Sequence, residues 1–384
     1  MSAFEFATAT RIIFGSGTSR RLPELCRESG QRVLIVTGAN PQRAEPVLKS
    51  LTSAGMTCET FSIPAEPTVD DARRGAAFAR EIRAQVVIGF GGGSAVDAGK
   101  AIAALARQPQ DVMHYLEVVG KGQPLDETPL PFIAMPTTAG TGAEVTRNAV
   151  LASPEHGVKA SLRHASMLPR IALVDPELAL ACPAAVTAAS GMDALTQCLE
   201  AFVSCRAQPM TDALCREGIR RAICSLEKAV LNGNDLEARE DMALAAMFSG
   251  MALANAGLGA VHGFAAPIGG QFHAPHGAVC AALLAPVWLA NWTLVNASDD
   301  VSMKERFADA GLLLTQNQET RGDRIATVLS DLTHRLQIPR LSSFGITESD
   351  LPDIAAKAAQ ASSMKGNPVT LSQEALIRIL EEAL

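Results

Sequence analysis

Three of the seven histidines fall within one fifteen-residue window, His262-Gly-Phe-Ala-Ala-Pro-Ile-Gly-Gly-Gln-Phe-His273-Ala-Pro-His276. Imidazole is the commonest protein ligand for a transition metal. Pro267, Gly269, Gly270 and Pro275 lie between the outer two histidines and break any continuous helix, so His262 and His276 are expected to converge from separate elements. Buried, hydrogen-bonded histidines would give the same count, so the window alone leaves both readings open. Upstream, Gly191-Met-Asp193-Ala-Leu-Thr-Gln197-Cys-Leu-Glu200 reads as a helix in which residues 193 and 197 share a face. An aspartate at the start of an apolar helix is either a charge favoured by the helix dipole or a member of a metal site, since such sites draw on Asp and Glu as well as His.

A second chemistry-bearing stretch is glycine-rich. The apolar run 85–90 leads into Gly91-Gly92-Gly93-Ser94 and then a helical pattern through Asp97 and Lys100. A glycine turn at a helix N-terminus offers bare N–H groups and the positive end of the dipole to phosphate oxygens, and a dinucleotide pyrophosphate would fit there. The stretch is neither a G-x-G-x-x-G fingerprint nor a P-loop, and tight strand-to-helix turns use glycines without any ligand. A polar segment, Pro136-Thr137-Thr138-Ala-Gly140-Thr141-Gly142-Ala-Glu144-Val-Thr146, follows the next strand. Both segments lie beyond strand carboxyl ends, where open parallel sheets bind ligands.

The elements that must position these residues come from the hydrophobic pattern. Residues 32–38, 58–63, 85–90 and 130–135 read as strands, with 171–175 as a last one; 41–54, 69–84 and 95–107 read as helices. That βαβ alternation predicts a parallel, doubly wound sheet. From 184 onward the periodicity is helical, through 184–203, 208–231, 235–256 and later segments, with turns near 230–236 and 365–368. We therefore expect an α/β Rossmann-like domain over residues 1–183 and an all-α domain over 184–384.

Composition narrows the function classes. A length of 384 residues suits two domains, and 48% hydrophobic against 19% charged residues supports large buried cores. The net charge of -7 lends no electrostatic support to nucleic-acid or anionic-membrane binding. No run reaches the ~18 uninterrupted apolar residues of a membrane helix, and the opening Met-Ser-Ala-Phe-Glu-Phe lacks the pattern of a secretory leader, so a cytoplasmic location is expected. The eight cysteines form no CxxC pair and read as reduced, buried thiols.

Taken in order, Ile12-Ile-Phe-Gly15, Gly91 to Lys100, Pro136 to Glu144, Asp175-Pro176, Gly191 to Thr196, His262 to Gly277 and Asn367-Pro368 resemble the iron-containing (group III) alcohol dehydrogenases. The family is structurally related to dehydroquinate synthase, and the resemblance spans nearly the whole chain. It implies a dehydroquinate synthase-like fold, a metal and a nicotinamide, NAD(P), meeting in a cleft, a small alcohol or aldehyde as substrate, and a homodimer or larger assembly. Residue by residue, Asp193, His262 and His276 match metal ligands; Gly92, Gly93 and Ser94 match the pyrophosphate loop, with Asp97 and Lys100 on the helix it opens; Thr137, Thr138, Thr141 and Lys159 match positions facing the cofactor.

Two departures stand out. Gln197 occupies the position of another histidine ligand, four residues after the aspartate. An amide oxygen is a weaker donor, so iron(II), Fe2+, should bind less tightly, or zinc, Zn2+, is held by Asp193, His262 and His276 with water completing the shell. Ala266 stands where members often carry a histidine, which leaves His273 as a candidate proton relay or a rim residue. After the first strand of the alternation, Thr37-Gly38-Ala39-Asn40 has Gly38 where many members place an aspartate against the ribose; NADP should be tolerated, with Arg43 able to neutralise a phosphate. The rival readings are a dehydroquinate synthase-like lyase, for which no dense Lys/Arg cluster flanks the site, a metal-free maleylacetate reductase, and a non-catalytic nucleotide-binding protein with a decayed metal site.

Overall fold

The computed structural model describes residues 3–317 and 322–384; Met1 and Ser2, part of the start read above for a leader, lie outside them. The chain divides into two compact units: Thr8–Thr138 with Gly142–Ala181, and Cys182–Leu384 with Ala139–Thr141 and the residues up to Ala7.

In the first unit the strands are β1 (Arg11–Phe14), β2 (Arg32–Thr37), β3 (Thr57–Ser62), β4 (Val86–Gly91), β5 (Phe132–Pro136), β6 (Asn148–Ser153), β7 (Val158–Arg163) and β8 (Ile171–Val174). Six of them form one parallel sheet in the order β1-β8-β5-β4-β2-β3. The helices between them are α1 (Leu22–Arg27), α2 (Glu45–Ser53), α3 (Val69–Glu81), α4 (Gly93–Leu105) and the single turn α5 (Val112–Tyr115). Period-two alternation decides which helix covers which face. Val33 and Ile35 of β2 join a core with Leu22, Leu25 and Leu51 of α1 and α2, whereas Leu34 and Val36 pack with Ala79, Val96 and Ile102 of α3 and α4. Burial on both faces is the condition under which parallel sheets are stable. Because β3 and β4 flank β2 on opposite sides, the chain reverses its winding between β2 and β4, and a crevice opens at their carboxyl ends.

Three details depart from the sequence expectation. Residues 41–44 form a 3-10 turn before α2 rather than the start of one helix. β1 adds an edge strand beside β8. β6 and β7 form an antiparallel hairpin outside the sheet, whose Ala149, Leu151, Ala160 and Leu162 pack on Ala72, Ala76, Ala101 and Leu105. The hairpin strands each carry only two or three buried side chains among polar ones, too weak a pattern to read alone.

The second unit is helical: α6 (Ala184–Phe202), α7 (Pro209–Leu231), α8 (Leu236–Ala256), α9 (Ala260–Phe272), α10 (His276–Ala297), α11 (Val301–Thr315), α12 (Gly322–Arg335), α13 (Leu351–Gln360) and α14 (Gln373–Ala383). Its core includes Phe202, Phe264, Phe307 and Leu380, all buried. By length and apolarity α10 could cross a bilayer, but Val279, Leu283, Leu284, Val287 and Trp288 on it are buried in this core. The expected helix break also moves. α9 runs through Pro267, Gly269 and Gly270, because burial of Phe264, Ala265 and Ile268 outweighs the ~3 kcal/mol disfavour of an internal proline. The chain turns instead at His273, which takes a left-handed φ of 52°, and at Pro275, which caps α10.

Candidate functional site

Asp193, Gln197 and Glu200 lie one and two turns apart on α6, and all three are buried. Asp193 sits well inside a helix that starts at Ala184, so the helix-start dipole does not account for it. Burying a carboxylate in mid-helix is expensive unless partners compensate, and the partners are specific.

Asp193 Oδ1 lies 3.2 Å from His262 Nε2 and 3.6 Å from His276 Nε2. His262 comes from the first turn of α9 and His276 opens α10, so the two imidazoles converge from separate helices as the spacing predicts. His262 and Asp193 are held from behind. His262 Nδ1 donates to Glu200 Oε2 at 2.6 Å, and Glu200 Oε1 accepts the Val261 N–H at 2.7 Å. Fixing the proton on Nδ1 leaves the Nε2 lone pair facing the centre, the arrangement in which a carboxylate orients a metal-binding histidine. The Gln197 amide nitrogen donates to Asp193 Oδ2 at 3.0 Å, leaving Oδ1 for the centre. The Gln197 oxygen faces the Ser249 hydroxyl at 2.8 Å and not the cluster.

The fourth group is Cys280, one turn into α10 from His276, with its sulfur 3.8 Å from His262 Nε2 and 3.7 Å from His276 Nε2. One ligand atom from each of Asp193, His262, His276 and Cys280 lies within 4.8 Å of all the others. Four lone-pair donors this close repel unless protons or a cation lie among them, which fits the donor set of a divalent metal. Without a metal, protons take that part. Burial works against charge on His262, but Cys280, Asp193 and Glu200 raise it well above its usual range. The Cys280 sulfur, then Asp193, lift His276 to about 9 against its burial. Burial would raise the Asp193 carboxyl, yet His276, His262 and the Gln197 amide together hold it below the usual value. Loading a cation must therefore expel protons.

In the other unit, Gly92 caps α4 with no side-chain hydrogen bond to the helix's first N–H groups. Gly91 has φ 152°, and a Cβ built on it would stand 2.7 Å from the Ala95 Cβ and 3.4 Å from the Gly38 nitrogen. The Gly38 turn and the Gly91–Ser94 loop thus adjoin at the winding reversal, and the Thr137 N–H bonds the Gly91 carbonyl at 2.8 Å. A Cβ on Gly92 would press on the Thr138 side chain at 3.4 Å. Thr37 Oγ1, buried at the end of β2, has no hydrogen-bond partner. An uncapped helix start, a glycine-lined crevice and an orphaned hydroxyl fit the phosphate and ribose of a dinucleotide.

Other expected residues have different surroundings. Asp97 Oδ2 accepts the Val150 N–H at 3.0 Å, and the buried Lys100 ammonium donates to the carbonyls of Ala143 and Asn148 and the Thr146 hydroxyl, pinning β6. Lys159 pairs with Glu66 at 2.6 Å, and the Arg43 guanidinium donates to the Leu178 carbonyl. Asn40 is exposed ahead of the 41–44 turn, and Thr141 belongs to the helical unit. His273 is exposed at the α9–α10 junction and is not among the four converging groups. Sequence reasoning missed Glu200 and Cys280. The signals were present, Glu200 seven residues after Asp193 on one helix face and Cys280 four after His276, but both sit in apolar stretches that read as core.

Residues 9–176 match the family model described as iron-containing alcohol dehydrogenase, and 187–384 match the C-terminal model of the same family. The chain is 36% identical to long-chain-alcohol dehydrogenase 1 of Geobacillus thermodenitrificans, over 98% of this chain and 97% of that protein. It is 32% identical to 1,3-propanediol dehydrogenase of Klebsiella pneumoniae, over 99% and 98%. Among solved structures, alcohol dehydrogenase from Oenococcus oeni superposes with a TM-score of 0.92 at 30% identity, covering all of both chains.

Proposed function

The chain belongs to the iron-containing alcohol dehydrogenase family and is an oxidoreductase of that kind; from that premise we propose that it moves hydride between NAD(P) and a small alcohol, aldehyde or ketone with one divalent cation, iron(II) or zinc. The observation that carries the reading is the convergence of Asp193 Oδ1, His262 Nε2 and His276 Nε2, with Asp193 and His262 each backed so that a lone pair faces the centre. A cation held by these residues would supply Lewis acidity to a substrate oxygen, and a nicotinamide held at the Gly91–Ser94 loop would supply the hydride acceptor or donor.

The chain's own residues do the rest. Asp193 sets the charge of the centre, Glu200 keeps the His262 proton on Nδ1, and Gln197 turns Asp193. Gly91, Gly92, Gly93 and Ser94 open α4 toward the pyrophosphate, with Gly38, Thr137 and Thr138 beside them. Exposed His273, three residues from His276, exchanges the alcohol proton with solvent through its imidazole. A homodimer and a cytoplasmic location belong to the same reading, and light scattering of the purified protein checks the first.

Replacing His262 or His276 with Ala should remove both bound metal and turnover, assayed with propane-1,3-diol, 1-propanol, long-chain primary alcohols and their aldehydes, each with NAD(H) and NADP(H). Full turnover in a metal-free variant refutes the mechanism. The lyase and non-catalytic readings lose their footing, because the relatives matched along the full chain are named as dehydrogenases.

A further inference from the structure

Resting on the metal-dependent reading above, we infer that Cys280 is the fourth protein ligand, that Gln197 is a positioning residue for Asp193 and not a ligand, and that the resulting Asp–His–His–Cys set selects zinc over iron(II). The argument is geometric. In a tetrahedral zinc site, bonds of about 2.0 Å to N and O and about 2.3 Å to S put N···O edges near ~3.3 Å and S···N edges near ~3.6 Å. The observed edges are 3.2 and 3.6 Å from Asp193 Oδ1 to the two imidazoles, and 3.8 and 3.7 Å from Cys280 Sγ to the same two nitrogens. Of these four edges the longer two fall on sulfur, as its longer bond requires, and the substrate oxygen of the proposed reaction would join as a fifth ligand.

Gln197 cannot join without dismantling its own bonds. Its amide nitrogen faces a carboxylate oxygen, and turning the amide over would set two oxygens against each other there. Its oxygen lies 2.8 Å from the Ser249 hydroxyl, which divides its one proton between Gln197 and the Ala246 carbonyl, also at 2.8 Å. The loss of an imidazole at 197 is thus answered by a sulfur from α10. A thiolate is a softer donor than imidazole or carboxylate, and softer sets favour zinc.

Cobalt(II) reports on this directly, because thiolate ligation produces a strong near-ultraviolet charge-transfer band that N and O ligands do not. The full-length protein, stripped and reloaded with one equivalent of cobalt, should show that band; Cys280→Ser should bind cobalt without it, and Gln197→Ala should keep it. The zinc-over-iron(II) affinity ratio should shrink at least tenfold in Cys280→Ser, and an unchanged ratio overturns the selectivity. Should Cys280→Ser fail to fold, zinc-edge X-ray absorption of the wild type decides: one sulfur at about 2.3 Å supports the set, and an all-N/O shell overturns it. Bound cobalt with no band in the wild type overturns the thiolate ligand while leaving hydride transfer standing. Failure to bind cobalt, zinc or iron at all sinks the metal-dependent reading as well.

Discussion

Glu200→Gln isolates the geometry behind the metal centre with a change of one atom's chemistry and almost no volume. The wild-type carboxylate uses one oxygen for His262 Nδ1 at 2.6 Å and the other for the Val261 N–H at 2.7 Å. An amide has one acceptor and one donor end, so one of these bonds must fail. If the NH2 turns toward Val261, two buried donors face each other, at about 1–3 kcal/mol. If it turns toward His262, the ring must accept at Nδ1 and carry its proton on Nε2, the atom that faces Asp193 Oδ1. Little room exists to escape, since even a Cβ on Gly259 would come within 2.9 Å of Glu200 Oε1. Losing the residue that orients a ligating histidine lowers metal affinity by roughly 10- to 100-fold, equal to about 1.4–2.7 kcal/mol. Chelator competition with zinc and iron(II) reads this directly, with thermal melting as the check on folding. An affinity within threefold of wild type in a folded Glu200→Gln protein would refute the claim that Glu200 sets the His262 tautomer.

Two further outcomes follow from the first unit. Burial raises the Glu144 carboxyl from 4.5 to about 7, with Lys100 opposing the rise. A raised folded-state pKa on an acid means its stabilising contribution is complete below about pH 4.5 and is lost as pH rises through 7; relative to Glu144→Gln, the wild type should lose up to roughly 3 kcal/mol over that window, and parallel denaturation midpoints from pH 5 to 8 would contradict this. Gly38→Asp meets open space, with nothing within 4 Å of the added Cβ, so it should fold normally and raise the KM for NADP at least tenfold while leaving that for NAD within a few fold; equal effects on both would show that this turn does not read the ribose.

Most of the architecture was readable along the chain. Continuous β-branched runs such as 32–37 can only be buried on both faces, and the longer 3.6-residue periodicities beyond 184 can only be helices, so a parallel sheet followed by a helical unit was determined locally. For Asp193, His262 and His276, residue type and spacing left a structural reading open, and it was the family resemblance of the surrounding motifs that marked them as candidate ligands. What the periodicity could not carry is anything that depends on a partner distant in sequence. α9 keeps its helix through Pro267 because Phe264 and Ile268 find a core, a balance struck by tertiary burial against local propensity. The hairpin β6–β7 exists because α3 and α4 offer it an apolar surface. Gln197, next in line as a ligand by spacing, is turned away by Ser249 of α8, while Cys280, which reads as one more small hydrophobe, is carried to the centre by the turn at His273 and Pro275. Residue type determines which groups can bind a cation; which of them do is a matter of distance, and distance is set by packing between helices far apart in the chain.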